Sequence, residues 1–262
     1  MFEALSGSVG FILKKPIALL PVFLAMFLVN VSSVLFQQKL LDVIFILITN
    51  NVSLLNPTHV LFYMAKNDPP SLFYFFIYAI TTLTIFSITG VYYCHLLLNH
   101  KKGSSISNAL GFSFSSIWNI IVLLGIQILF LLVMVFGFFT LAFLPLNSEW
   151  LFLTLFFIYF VFVFLIGFRL FMFVFPALAQ EKTNAKMALK KSWAFVNRNF
   201  WPSLLLLFVL FLVLSLVFLI QYMILEQFDD TLIIFSIKSI TNTFAVTFSL
   251  GALTLYYSKH NV

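Results

Sequence analysis

Six long apolar runs divide the chain, and polar connectors rich in Pro, Ser, Asn or charged residues separate them. About 20 apolar residues are enough to cross the hydrocarbon core of a bilayer as a helix, at 1.5 Å of rise per residue. The predicted spans are residues 17–36, 72–98, 117–144, 151–178, 204–225 and 232–257. The pattern therefore predicts an all-α integral membrane protein with six transmembrane helices in one membrane domain, residues 1–262.

One further apolar segment, residues 40–49, is too short to span a bilayer. It follows the polar residues Gln37, Gln38 and Lys39, which we expect to end the first span. The segment is therefore predicted to form a separate helix, interfacial or packed, on the outer side. Its Asp42 then needs a partner, because an acidic side chain among apolar neighbours is costly.

The connector after the fourth span predicts a short amphipathic helix over residues 183–196, with Thr183 as its N-cap. Small and apolar residues recur on one face at helical spacing, namely Ala185, Ala188, Leu189, Ser192 and Val196. Lys186, Lys190 and Lys191 fall outside this face. Since such a helix cannot cross a bilayer, we expect it on the cytoplasmic surface with its lysines toward anionic lipid headgroups.

Composition supports the membrane assignment, because 63% of the residues are hydrophobic and only 8% are charged. A soluble domain carries roughly 25% charged residues. The net charge of +6 does not indicate a nucleic-acid partner, since the basic residues lie between apolar runs. A single cysteine, Cys94, excludes an intramolecular disulfide and a thiolate metal cluster. No hydrolase, zinc-protease or phosphate-loop motif occurs, so we predict no cofactor and no enzymatic activity.

Lys and Arg are distributed unequally between the two sets of connectors. Ten lie on one side, namely Lys14, Lys15, Lys101, Lys102, Lys182, Lys186, Lys190, Lys191, Arg198 and Lys259. Two, Lys39 and Lys66, lie on the other, and Arg169 and Lys238 lie within spans. Because cytoplasmic loops carry the positive excess, both termini are predicted to be cytoplasmic. The first span lacks a cleavage site and is expected to remain as an anchor.

A short motif, Ala-Leu-x-x-Ser, occurs three times at the same topological position. It begins at Ala4, Ala109 and Ala188, each time shortly before an odd-numbered span. One interpretation is shared chemistry at the start of a membrane helix. The alternative is a three-fold repeat of a cytoplasmic surface helix followed by a two-span hairpin, a kind of repeat that often frames an axis or cavity.

The region around the third motif resembles a known family. Pro176, Glu181, Ala188, Leu189, Ser192 and Trp193 follow the pattern of the YciC-like six-span inner-membrane proteins and of the membrane domain attached to some glycerophosphodiester phosphodiesterases. Arg169 also fits, since relatives often place Arg shortly before that proline. The resemblance implies a six-span fold in the prokaryotic inner membrane. It implies no enzymatic activity, because the chain contains no phosphodiesterase domain.

Two charged residues within spans are candidates for function. Arg169 lies about nine residues, roughly 13 Å, from the inner end of the fourth span. Such a charge snorkels to the surface, bonds to helix carbonyls or contacts a lipid phosphate. Lys238 belongs to a polar stripe on the sixth span with Asn242. This stripe either joins helices or lines a polar cavity, in which Asp42 would be the counter-ion of Lys238.

Two functions follow from these patterns. The first is a non-enzymatic membrane protein that organises lipids or assists a membrane partner, with Lys186, Lys190, Lys191 and Arg169 in contact with headgroups. The second is a small transporter or permease subunit with a polar cavity between the fourth and sixth spans, lined by Lys238, Asn242 and Asp42.

The predicted orientation can be tested by cysteine labelling from each side of the membrane. A cysteine at Ser104 should react with an impermeant reagent only from the cytoplasm, and one at Asp229 only from outside. Labelling of position 104 from outside alone would reverse the orientation and remove the argument for cytoplasmic surface helices.

Overall fold

A computed structural model of the protein describes residues 1–49, 66, 69–99, 105–142, 149–181, 183–228 and 231–260. Within these residues the chain is almost entirely helical and has no strand. The helices are α1 (Phe2–Lys14), α2 (Leu20–Thr49), α3 (Pro69–Asn99), α4 (Ile106–Ser115), α5 (Ile117–Ala142), α6 (Glu149–Phe171), α7 (Val174–Glu181), α8 (Ala185–Arg198), α9 (Phe200–Leu225) and α10 (Thr231–His260). A 3₁₀ turn, Pro16–Leu19, joins α1 to α2.

Six helical segments in the described part are long and apolar enough to cross a membrane. They are α2, α3, α5, α9, α10 and the segment that α6 and α7 form together. The predicted six-span, all-α membrane fold is therefore confirmed. The predicted surface helices before spans one, three and five are present as α1, α4 and α8.

The prediction of a separate helix over residues 40–49 is wrong, because α2 runs without a break to Thr49. Gln37, Gln38 and Lys39 are good helix formers, and after Pro21 the helix contains neither Gly nor Pro to stop it. At 30 residues α2 is about 45 Å long, which exceeds the roughly 30 Å hydrocarbon core. α2 is therefore longer than an upright span requires.

The second spans of the three predicted units form the centre of the bundle. α3, α7 and α10 all contact one another, whereas α2, α5 and α9 pack around them. Val91, Ala177 and Ala252 are completely buried, one on each central helix. Two of these three residues are alanines, which let neighbouring backbones approach closely.

Each surface helix packs against the second span of the preceding unit. α4 lies on α3, α8 lies on α6 and α7, and α1 closes the circle by lying on α10. The alanine and serine of every Ala-Leu-x-x-Ser motif are buried in these contacts, namely Ala4, Ser8, Ala109, Ser113, Ala188 and Ser192. This cyclic order of contacts is the one that a three-fold repeat requires, while superposition of the three units stays a prediction.

Two of the three motif serines bind the backbone of the helix beneath them. The Ser8 hydroxyl donates to the carbonyl oxygen of Phe248, 3.0 Å away in α10. A Cβ atom at Gly251 would lie only 2.2 Å from Ser8 Oγ, so this approach requires glycine. The third serine differs, because Ser113 Oγ donates to Ala109 within its own helix at 3.0 Å.

The hydroxyl of Ser192 is bound at a break in the fourth span, between α6 and α7. Pro176 has no N–H to donate to the carbonyl of Met172, which lies in the break itself. Ser192 Oγ accepts from the Phe173 N–H at 3.2 Å and donates to the Arg169 carbonyl at 3.0 Å. Backbone groups without partners are costly in a bilayer, so this hydroxyl from a neighbouring helix makes the break tolerable.

Replacing this hydroxyl should destabilise the fold. Ser192→Ala leaves the buried Phe173 N–H without its partner, and an unsatisfied buried donor costs about 1–3 kcal/mol. Ser113→Ala is the matched control, since that buried hydroxyl serves only its own helix. Unfolding of both variants in the same detergent should show the larger loss for Ser192→Ala. Equal losses would mean that Ser192 acts only through packing.

Candidate functional site

The predicted surface helix exists as α8, but Asn184 caps it instead of Thr183. The Asn184 side chain accepts a hydrogen bond from the Met187 N–H at 2.9 Å, and the helix begins at Ala185. A second asparagine fixes the same end from outside, because the Asn119 side-chain oxygen in α5 accepts from the Ala185 N–H at 3.1 Å. The start of α8 is therefore held at a fixed position on the third span.

The buried face of α8 follows the prediction. All five residues of that face, Ala185, Ala188, Leu189, Ser192 and Val196, are buried against the bundle, together with Phe195. Lys186 and Lys190 are exposed on the opposite side. Lys191 differs from them, since it is half-buried and already engaged in a contact of its own.

Arg169 lies between two aromatic rings at the junction of α6, α8 and α9. Its guanidinium carbon is 5.4 Å from the centroid of the Trp193 ring and 5.7 Å from that of the Phe200 ring. Both distances are within the range of cation–π attraction. The Nε atom is buried and has no hydrogen-bond partner in the described residues.

Two of the four predicted headgroup residues, Lys186 and Lys190, lie on the same side of α8. Lys186, Lys190 and Trp193 are spaced i, i+4 and i+7, so they share one face of the helix. Arg169 lies over the last of these residues. The structure therefore combines two exposed lysines, an aromatic ring and a half-buried arginine in one cationic surface, which we call the α8 basic face.

The polar stripe of the sixth span faces the first span. Asn30 of α2 is buried, and its side chain donates to Ser239 Oγ at 3.0 Å and accepts from the Asn242 amide at 2.9 Å. Thr243 and Thr247 donate to carbonyls of their own helix, at 2.7 Å each. Asn242 thus joins two helices, which is the first of the two interpretations of the stripe.

The predicted contact of Lys238 with Asp42 stays a prediction, because the Asp42 side chain lies outside the described residues. Lys238 is half-buried and next to Ser239, which is level with Asn30. Asp42 is twelve residues further along α2, about 18 Å of helix. This register disfavours a direct ion pair.

A cavity of about 970 Å³ opens at the end of the bundle where α3, α7 and α10 terminate. Its polar lining includes Glu3, Lys14, Lys259 and His260. Lys259 donates a hydrogen bond to the Glu3 carboxylate, and this bond and the lysine charge lower the pKa of Glu3 from its usual value of 4.5. The first and last helices are thereby joined by an exposed ion pair.

Deeper in the bundle, buried aromatic side chains fill the space between the helices. The Phe173 ring lies 4.7 Å from the Phe195 ring and 5.8 Å from the Tyr257 ring, measured between centroids. All three are almost completely buried. Another ring pair joins α3 to α4, where His95 stacks on Phe112 at 4.1 Å.

Among the residues that the structure describes, no group of three His, Cys, Asp or Glu side chains is placed to hold a metal. Comparisons with family models, with curated proteins and with solved structures give no match.

The Glu3–Lys259 pair predicts a pH dependence at the junction of α1 and α10. A carboxyl group with a lowered pKa keeps its charge to lower pH, so the ion pair is present at neutral pH and is lost as the pH falls through that pKa, below 4.5. In an NMR titration with labelled glutamate, the Glu3 carboxyl should titrate below 4.5 and return toward 4.5 in Lys259→Gln. An identical midpoint in both proteins would show that the pair does not persist in solution.

Proposed function

We propose that the protein is a non-enzymatic integral membrane protein of the prokaryotic envelope that gathers anionic lipid headgroups at its cytoplasmic surface, as a lipid-organising protein or an accessory to a membrane partner. The α8 basic face carries this proposal. Its two lysines, Lys186 and Lys190, are exposed, while the opposite face of the same helix is buried against the bundle. The lysines are thus held at the surface by packing that does not involve them.

Exposed tryptophans support a position of the α8 basic face near the level of the lipid headgroups. Trp118 begins the third span and Trp201 begins the fifth, and both are 75% exposed. Tryptophan collects at the boundary between the hydrocarbon core and water. Since α8 is tied to α5 by Asn119 and ends next to Trp201, its lysines are expected within reach of the headgroups.

The expected effect is enrichment of lipid and not anchoring of the protein. Each basic residue near an anionic surface contributes about 1 kcal/mol, and the attraction decays within a Debye length. Two exposed lysines therefore supply about 2 kcal/mol, which corresponds to roughly a thirtyfold local preference at low salt. Six spans already hold the protein in the membrane.

The alternative is a small transporter or permease subunit. The cavity at the ends of α3, α7 and α10 favours it, because substrate needs an opening at one side of the membrane. Two observations favour the lipid proposal instead. Asn242 bonds to Asn30 of the first span, and buried aromatic rings such as Phe173 and Tyr257 fill the space between the central helices. Membership of the YciC-like family also remains a proposal, based on the motif residues alone.

The double variant Lys186→Gln and Lys190→Gln tests the lipid proposal. Protein extracted with its surrounding lipid in polymer discs should be enriched in anionic lipid relative to the bulk membrane, and the variant should lose most of this enrichment. The difference should shrink when the discs form at high salt, because the attraction is screened.

Lys191→Gln is the matched control, since Lys191 is half-buried and engaged elsewhere. It removes one positive charge where the double variant removes two, so its effect on the lipid composition should be well below half of the double variant's effect. An unchanged composition in the double variant would mean that the lysines serve only to set topology, and the lipid proposal would be abandoned.

A further inference from the structure

The first spans of the three predicted units, α2, α5 and α9, pack unequally around the central helices. α2 packs on its own partner α3 and on α10 of the preceding unit, and α5 packs likewise on α6 and on α3. α9 packs along α10, but within the described residues it makes no comparable contact with α6 or α7, the second span of the unit before it. One of three equivalent interfaces is therefore open.

Among the described residues, a ring contact joins α6 to α9 near the end of this interface that is predicted to be cytoplasmic. There the rings of Phe168 in α6 and Phe200 in α9 meet edge to face, 6.0 Å apart. Further toward the outer side, both helices expose large apolar side chains, among them Phe157, Phe160 and Phe164 on α6 and Leu205, Phe208 and Leu212 on α9. We call the space between these two helices the α6–α9 groove.

Arg169 lies at the end of the groove that carries this ring contact, over the ring of Phe200. No carboxylate of the described residues pairs with it, and the nearest acidic residue toward the cytoplasmic end of the same span, Glu181, is twelve residues or about 18 Å of helix away. Its Nε is buried without a hydrogen-bond partner. A cation at this depth is costly unless it meets an anion, and no carboxylate among the described side chains supplies one.

We propose that the α6–α9 groove holds one phospholipid, with its phosphate on Arg169 and its acyl chains along α6 and α9. A planar guanidinium binds phosphate through two parallel hydrogen bonds, and stacking on Trp193 fixes its orientation. An acyl chain crosses half of the roughly 30 Å core, a length that about ten helical residues cover, such as those from Phe200 to Leu210. Polar contact at one end and apolar contact along the length together select a lipid.

This inference deepens the proposed lipid-binding function and rests on it, but the two differ in kind. The exposed lysines act on many lipids through a screened attraction, whereas the groove holds a single molecule at a half-buried cation. The first effect should weaken with salt and the second should resist it.

Native mass spectrometry of the whole protein tests the inference, with phosphatidylglycerol added to delipidated protein. The wild type should bind one lipid tightly at low and at high salt. Arg169→Gln should weaken this binding about tenfold to a hundredfold, as expected for loss of a charge-assisted hydrogen-bonded pair. Arg169→Lys, which keeps the charge but not the planar fork, should fall between them.

The variant with Gln at positions 186 and 190 separates the two proposals. It should lose the salt-dependent enrichment and keep the single bound lipid. If it loses the single lipid while Arg169→Gln keeps it, the groove proposal is wrong and the lysine proposal survives. If both variants bind the single lipid as tightly as the wild type does, Arg169 has no role in holding it.

Two further measurements on the wild type do not depend on any variant folding. A phospholipid with a photoreactive acyl chain should crosslink to α6 and α9, and crosslinks confined to other helices would overturn the site. Inorganic phosphate should not displace the lipid, since it lacks acyl chains. Displacement by phosphate would mean that the site binds anions and not a lipid. A stable dimer that buries the groove would identify a second copy of the chain as its occupant.

Discussion

The fold depends on close contact between small residues of each surface helix and the second span of the preceding unit. An alanine and a serine are buried at every such contact, and Gly251 allows the closest approach. A bulkier pair would push the surface helix away from the bundle and remove hydroxyls from the backbone groups that they serve. Because the contacts run in a circle, each surface helix joins two consecutive pairs of spans.

The same contact builds the candidate site. Ser192 donates to the carbonyl of Arg169, and the next residue, Trp193, lies against the side chain of that arginine. One turn of α8 thus fixes both the backbone and the guanidinium of a single residue. The hydroxyl that stabilises the break near Pro176 also binds the backbone of Arg169, whose guanidinium lies over the ring of Trp193. Ser192, which stabilises the break, is therefore adjacent to Trp193, which contacts the cation of the candidate site.

Length and periodicity were sufficient to predict the six spans and the buried face of α8, because lipid demands continuous apolar helices and packing demands a 3.6-residue repeat. They failed where a short polar run suggested the end of a helix, and where the partner of a residue is distant in the sequence. Gln37 to Lys39 look like an end of a span but are compatible with a helix, so α2 continues. Asn30, the partner of Asn242, is 212 residues away, so no local pattern links the two. The ring of Phe200 could not be singled out among 37 phenylalanines.

The docking of α1 on α10 has a consequence for biogenesis. Ser8 and its acceptor Phe248 are 240 residues apart, so the surface that receives α1 is synthesised long after α1 itself. During that interval the apolar face of α1, with Phe11 and Ile12, needs a temporary environment, and the membrane interface provides one for an amphipathic helix. Docking of α1 on α10 therefore has to follow synthesis of the sixth span, although α1 precedes all six spans along the chain.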